Sequence, residues 1–151
     1  LGLLGSIVDD RLRKEVRERL GAAYSPSARV DASRVFGGIG VLMIDASTAP
    51  EQADQLVAAC KQVAADLAQK GVTPEEMERL VAPILNQVRD QRRTNEYWLR
   101  ELSQAQTAPA TLENPRTVLE FYASIAAAEL DRLAAQYLAP ESASFLLVLP
   151  Q

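Results

Sequence analysis

The residues best suited to ligand chemistry are an arginine and a tyrosine seven positions apart, Arg17 and Tyr24. Apolar spacing predicts that Arg17 lies on the last turns of a helix, and alternating polarity predicts that Tyr24 opens a strand. Because Gly21 lets the backbone reverse between them, we expect the guanidinium and the phenol to converge at one side of a sheet edge. Such donors suit peptide carbonyls or a carboxylate. The alternative, which the residues alone favour, is a solvated helix arginine and an amphipathic strand tyrosine.

Several other kinds of catalytic site are ruled out by composition. The sequence has no histidine, so triads, imidazole-ligated zinc and histidine acid–base catalysis have no ligand or base within this chain. The single cysteine, Cys60, shares a predicted helical stripe with Leu56, Val63 and Leu67, which predicts a small buried hydrophobe rather than a nucleophile. We therefore assign no catalytic residue and no metal ligand to this chain.

Two pairs of adjacent acids remain as candidates for acid–base or cation chemistry, Asp9–Asp10 and Glu75–Glu76. Adjacent residues on a helix point to different faces, so structural roles are expected for both pairs. The first pair is predicted to form ion pairs with Arg13 and Lys14, four residues further on. The second pair is predicted to lie in the first turn of a capped helix, where it stabilises the helix dipole.

Charge and length limit the partners. The formal net charge is −4, from 16 basic and 20 acidic residues, and the basic residues are scattered, so nucleic acid is not expected as a partner. The longest apolar run, Ile39–Ile44, is far short of the roughly 20 residues of a membrane-spanning helix. The glycines at 37, 38 and 40 precede a predicted strand, which indicates a turn rather than a phosphate loop. At 151 residues, a single domain over 1–151 is expected.

The hydrophobic pattern predicts an α+β fold: a small, mostly antiparallel sheet with helices packed on one face. Capping boxes are predicted at Thr48 with Glu51 and at Thr73 with Glu76. The predicted helices are Leu3–Leu20, one from Thr48 to near Gly71, one from Thr73, Glu96–Ala105 and Ala127–Leu138, with a loop or short helix between Pro109 and Pro115. The predicted strands begin near Tyr24, at Ile39 as a central strand paired antiparallel with the first, and at Phe145, ending at Leu149.

Short motifs occur along nearly the whole chain in a particular order. They are Val16–Ser25 with its arginine-to-tyrosine spacing, Thr48–Glu51, Gly71–Met77, Asn95–Trp98, and Tyr137–Leu138 followed by Phe145–Pro150. In this order they resemble the C-terminal domain of the insulinase/pitrilysin-type zinc metallopeptidases, or inverzincins, the group that includes the mitochondrial processing peptidase.

The resemblance implies a division of labour between two homologous halves that close around a peptide. An inverted His-x-x-Glu-His motif in the N-terminal half binds zinc and activates water, and an arginine and a tyrosine of the C-terminal half hydrogen-bond the substrate. By resemblance, Arg17 and Tyr24 take those substrate-binding roles. This chain lacks the motif and the strands expected before the first helix, so we expect a piece of a C-terminal, non-zinc domain that is inactive alone.

The resemblance also implies a zinc-bearing N-terminal domain or subunit as partner, a peptide as substrate, and a periplasmic location. The main alternative is a non-catalytic scaffolding or binding module of the same fold. Another is a helical regulatory domain that dimerises through an exposed sheet edge.

Overall fold

The computed structural model describes residues 1–20, 26–33, 39–140 and 143–148. In chain order the elements are α1 (Gly2–Leu20), β1 (Ser27–Ala32), β2 (Gly40–Asp45), a 3-10 turn (Pro50–Gln52), α2 (Ala53–Lys70), α3 (Pro74–Gln91), α4 (Asn95–Thr107), a second 3-10 turn (Pro109–Leu112), α5 (Glu113–Ser124) and α6 (Ala127–Tyr137). They form two compact units, residues 1–73 with 127–151, and residues 74–126. The prediction of a single C-terminal, non-zinc domain over 1–151 stays a prediction. None of the helices in the described ranges combines the length and apolar character needed to cross a bilayer.

The first unit is organised around the apolar stripe of α1. This helix packs against β1 and α2, and α2 in turn packs against α6. Burying each large apolar side chain stabilises the fold by about 1.5–3 kcal/mol, so α1 contributes much of the stability of this unit. Its fully buried residues follow the spacing that predicted the helix and are Leu4, Ile7, Val8, Leu12 and Val16.

The sheet has two strands in the described part of the chain, β1 and β2, and they pair antiparallel as predicted. The register runs from Ser27 opposite Asp45 to Ala32 opposite Gly40. Pro26, predicted at an edge or bulge, lies just before β1, where no ladder hydrogen bond is needed from it. With six helices and this hairpin, the predicted α+β class is confirmed for the described residues.

Two details of the predicted sheet are wrong. β2 is not a central strand, because within the described residues it pairs with β1 alone, and Val41 on one of its faces is 54% exposed. Residues 143–148 form no strand, and Leu146 within them is 91% exposed. An apolar run has the same sequence pattern whether or not a neighbouring strand is there to pair with it, so the pattern alone overstated the sheet.

The start of α2 differs from the predicted capping box of Thr48 and Glu51. A 3-10 turn intervenes, α2 begins only at Ala53, and no side chain caps either element. The Thr48 Oγ1 atom is buried without a hydrogen-bond partner among the described residues. Thr94 does cap a helix, since its Oγ1 accepts a 3.3 Å hydrogen bond from the Tyr97 amide at the start of α4. The helix start at Pro74 is confirmed, and the box predicted there stays a prediction.

The second unit is more helical than predicted. The loop or short helix expected between Pro109 and Pro115 is a 3-10 turn followed directly by α5. Pro115 lies in the first turn of α5, where its missing amide proton is not needed. The predicted stripe of α3 is half-buried throughout, at Met77, Leu80, Val81, Ile84, Leu85 and Val88. The buried side chains in this unit, all of whose residues are described, are Tyr97, Ala105 and Pro115.

A hydrogen-bonded corner at the end of α2 joins three helices of the first unit. Gly71 has a φ of 72°, a left-handed conformation that a residue without a Cβ adopts readily. Its carbonyl oxygen accepts a 2.6 Å hydrogen bond from Arg11 Nη2 on α1, and the next amide, of Val72, donates to Asp131 Oδ1 on α6 at 2.7 Å. A Cβ at Gly71 would lie 2.6 Å from that same carboxylate oxygen.

Gly71→Ala is therefore expected to destabilise the chain. The positive φ of this backbone conformation alone should lower the free energy of unfolding by about 1–3 kcal/mol, and the clash with Asp131 adds to this. The matched control is Gly2→Ala, because a Cβ there meets no atom within 4 Å and should change stability by less than about 1 kcal/mol. Urea denaturation followed by circular dichroism measures both, and equal midpoints for Gly71→Ala and wild type would contradict the assignment.

Candidate functional site

Arg17 lies on the last turns of α1, as predicted, and its side chain is exposed. No described side chain forms an ion pair or a hydrogen bond with it. Tyr24 falls within residues 21–25, which lie outside the described residues. The predicted convergence of the two side chains therefore stays a prediction. The described elements that precede and follow Tyr24 in sequence are α1 and β1.

Two contacts fix α1 against β1. Helix and strand come so close at Gly5 that a Cβ there would lie 3.0 Å from Val30 Cγ2. One turn further along the helix, Asp9 Oδ1 accepts a 2.8 Å hydrogen bond from the Ala28 amide. As the helix residue number rises, the strand residue number falls, so α1 and β1 run antiparallel. The end of α1 therefore lies at the same end of the unit as the start of β1.

Asp9 has a second partner, because its Oδ2 atom forms a 2.8 Å ion pair with Arg13 Nε. Asp10 forms the other predicted pair, with Lys14 at 2.9 Å. The structural interpretation of these two acids is confirmed. The hydrogen bond from Asp9 to β1 was not predicted, because sequence spacing reveals pairs within one helix but not contacts between elements distant in sequence.

Asp9→Ala is expected to lower the free energy of unfolding by about 1.5–3 kcal/mol, because it leaves the Ala28 amide without its charged acceptor. Arg13→Ala is the matched control, since it removes only the exposed ion pair and should cost less than about 1 kcal/mol. Chemical denaturation of both variants measures the difference. Equal losses in the two variants would show that the helix-to-strand hydrogen bond contributes nothing.

Other residues considered for chemistry have structural surroundings. Glu75 and Glu76 lie in the first turn of α3, as predicted. Cys60 is half-buried on α2, and burial raises the pKa of its thiol, although a backbone hydrogen bond partly offsets this. The thiol is thus held in its neutral form at neutral pH, which suits a small apolar side chain better than a nucleophile.

The residues present do not fit a zinc site. The sequence supplies no histidine, and within the described ranges no three cysteine, aspartate or glutamate side chains cluster so as to hold a metal ion. Zinc chemistry therefore cannot be assigned to any described group of this chain.

A basic depression of about 340 Å³ lies in the second unit, at the end of α3 and the start of α4. We call it the arginine pocket; its lining residues are Arg89, Arg92, Arg93, Trp98 and Leu119. Sequence reasoning missed it, because the basic residues were judged to be scattered. The signal was available in the run of Arg89, Arg92 and Arg93 just before the only tryptophan of the chain.

Comparison with known proteins places the chain in a family. The description "Peptidase M16 inactive domain" applies to a family model that matches residues 1–84, more than half of the 151 residues, so the chain belongs to the peptidase M16 family. This confirms the resemblance that the sequence motifs predicted, to a C-terminal domain of this type of peptidase.

Curated relatives and a solved structure agree with this assignment. The chain is 26% identical over 137 residues to the chloroplastic stromal processing peptidase of Arabidopsis thaliana, covering 91% of this chain and 11% of that protein. It is 29% identical over 108 residues to the Pisum sativum protein of the same name, covering 72% and 8%. The periplasmic protease PqqL from Escherichia coli shares its fold, with a TM-score of 0.72 at 16% identity, over 89% of this chain and 15% of PqqL. The chain thus spans a small part of each protein.

Proposed function

We propose that this chain is the substrate-contacting, non-zinc domain of a zinc-dependent endopeptidase, in which Arg17 and Tyr24 orient an extended peptide for cleavage at a metal site in another domain. Membership of the M16 family through its inactive domain is the observation that carries the proposal.

The geometry of α1 and β1 supports bringing Arg17 and Tyr24 together. Four helix residues advance about 6 Å and two strand residues advance about 6.6 Å, which matches the contacts of Gly5 with Val30 and of Asp9 with Ala28. Because α1 and β1 run antiparallel, the last turns of α1, which carry Arg17, lie at the end of the unit where β1 begins at Ser27. The proposal is that Tyr24, between these two elements in sequence, binds the same ligand as Arg17.

The proposed chemistry is positioning and charge stabilisation. A guanidinium offers several donors in a fixed fork, and a phenol offers one donor, so together they suit a peptide carbonyl next to the bond to be cleaved. Negative charge develops on that oxygen in the transition state. Hydrogen-bond donors that are already in position stabilise this charge, and they lower the activation barrier because the site need not reorganise. The carbon–nitrogen cleavage itself is assigned to the partner domain.

The proposal includes a partner and a location. A zinc-bearing N-terminal domain, on the same or another polypeptide, is the proposed partner; the small share of the relatives that this chain spans leaves room for such a domain. A periplasmic location is proposed because PqqL is described as periplasmic. The stromal processing peptidases are described as chloroplastic, which is the other location found among the relatives.

The test is peptide cleavage by this chain combined with the zinc-bearing half. Arg17→Ala and Tyr24→Phe are each expected to lower kcat/KM by about tenfold or more, because each removes a donor to the reacting carbonyl. The loss should appear largely in kcat, since the interaction strengthens in the transition state.

The matched control is Arg116→Ala, which removes another exposed arginine, one that forms a long 3.6 Å ion pair with Glu113. It should leave kcat/KM unchanged. If Arg17→Ala and Tyr24→Phe also match wild type, the proposed roles are wrong and the scaffolding alternative gains support.

A further inference from the structure

The arginine pocket is held in shape by hydrogen bonds on both sides of the turn between α3 and α4. The indole Nε1 of Trp98 donates to the Arg92 carbonyl oxygen at 2.8 Å. The amides of Arg92, Arg93 and Thr94 donate to carbonyls of α3 at 2.9–3.1 Å, and Thr94 caps α4. The indole and the backbone beneath it are therefore fixed before any ligand arrives.

The Trp98 ring is also supported by its neighbour. Tyr97 is buried and meets the indole edge-on, with ring centroids 5.2 Å apart. Trp98 itself remains 38% exposed, and the Arg92 guanidinium lies 5.9 Å from its ring centroid. An arginine stacked near an aromatic face keeps its hydrogen-bond donors free at the edge of the guanidinium plane.

The charges of the pocket are poorly neutralised. Arg89 donates to Asn86 Oδ1, a neutral amide, at 3.1 Å. Arg93 has only a 3.6 Å pair with Asp90, and both side chains are more than three-quarters exposed, so that pair is weak. No carboxylate among the described residues lies within ion-pair distance of Arg89 or Arg92. A chain with a formal charge of −4 thus concentrates positive charge at one fixed depression.

The lining selects for more than a simple anion. Guanidinium groups bind carboxylates through paired hydrogen bonds, while the Trp98 face and Leu119 offer apolar surface directly beside them. A ligand that satisfies both parts has a carboxylate next to an apolar side chain. Within a protease family, a peptide with an acidic residue followed by an apolar residue supplies both groups on adjacent residues.

We propose that the arginine pocket binds an acidic residue and the apolar residue after it in an extended peptide. This inference rests on the proposed function for its ligand class, and it adds a second peptide-contacting site with its own specificity. It requires neither zinc nor Arg17 and Tyr24.

The test uses the chain's only tryptophan, Trp98, as a fluorescent reporter inside the pocket. The probe is the capped tetrapeptide acetyl-Gly-Glu-Leu-Gly-amide, with the glutamine-for-glutamate peptide as its uncharged match. The glutamate peptide is expected to change Trp98 emission saturably and to bind at least about tenfold more tightly than the glutamine peptide. Its affinity should fall as salt concentration rises.

Arg89→Gln and Arg92→Gln are each expected to weaken the glutamate peptide by about tenfold, whereas Arg116→Gln, on the exposed surface of α5, should leave it unchanged. The Arg92 substitution keeps the backbone carbonyl that holds Trp98. Calorimetric titration provides a second readout that does not depend on the emission of the variant. Circular dichroism checks that each variant is folded.

Three results would overturn the proposal: equal binding of the two peptides, unchanged binding in both arginine variants, or inorganic phosphate competing more tightly than the glutamate peptide. The last would indicate a phosphate site instead. These outcomes are independent of the cleavage assay. If the glutamate peptide binds at the pocket but Arg17→Ala and Tyr24→Phe keep full cleavage activity, the proposed roles of Arg17 and Tyr24 are wrong. The proposed binding site at the arginine pocket would still be supported.

Discussion

The docking of α1 against β1 is the interaction on which the rest of the structure depends. The helix buries its whole apolar stripe, from Leu4 to Val16, in the first unit. Burial of apolar side chains is not directional, so by itself it would fix neither the position of α1 along β1 nor the rotation of α1 about its axis. The close approach at Gly5 and the hydrogen bond from the Ala28 amide to Asp9 remove that freedom. A single carboxylate thus links the packing of the core to the placement of Arg17.

The sequence predicted best what depends on local periodicity. The helix stripes and the antiparallel hairpin were predicted correctly because the spacing of their apolar residues is repeated over many positions. The ion pairs of Asp9 and Asp10 were predicted correctly because residues four positions apart are neighbours on a helix. It failed where structure depends on distant partners. Nothing in residues 145–148 reveals whether a strand is present to pair with them, and nothing near Thr48 reveals the 3-10 turn that displaces the start of α2.

The candidate site divides in the same way. Arg17 was found because its distance from Tyr24 matches a family pattern, whereas the arginine pocket was missed because the basic residues were judged to be scattered, and its lining comes from α3, the turn after it, α4 and α5. A family pattern identifies residues that relatives have in common, whereas a cluster of charged side chains is identified from the structure of this chain alone. The two proposals are therefore complementary: one contact near the bond to be cleaved and another that selects an acidic and apolar pair along the peptide.

The most direct test is proximity in solution. In a Cys60→Ala background, the pair Arg17→Cys and Tyr24→Cys is treated with a short bifunctional thiol reagent and compared with the pair Ser6→Cys and Tyr24→Cys, whose helix position is about 16 Å further along α1. The proposal that Arg17 and Tyr24 share a ligand predicts rapid intramolecular cross-linking of the first pair and little of the second. Equal rates, or faster reaction of the Ser6 pair, would show that the guanidinium and the phenol do not share a ligand.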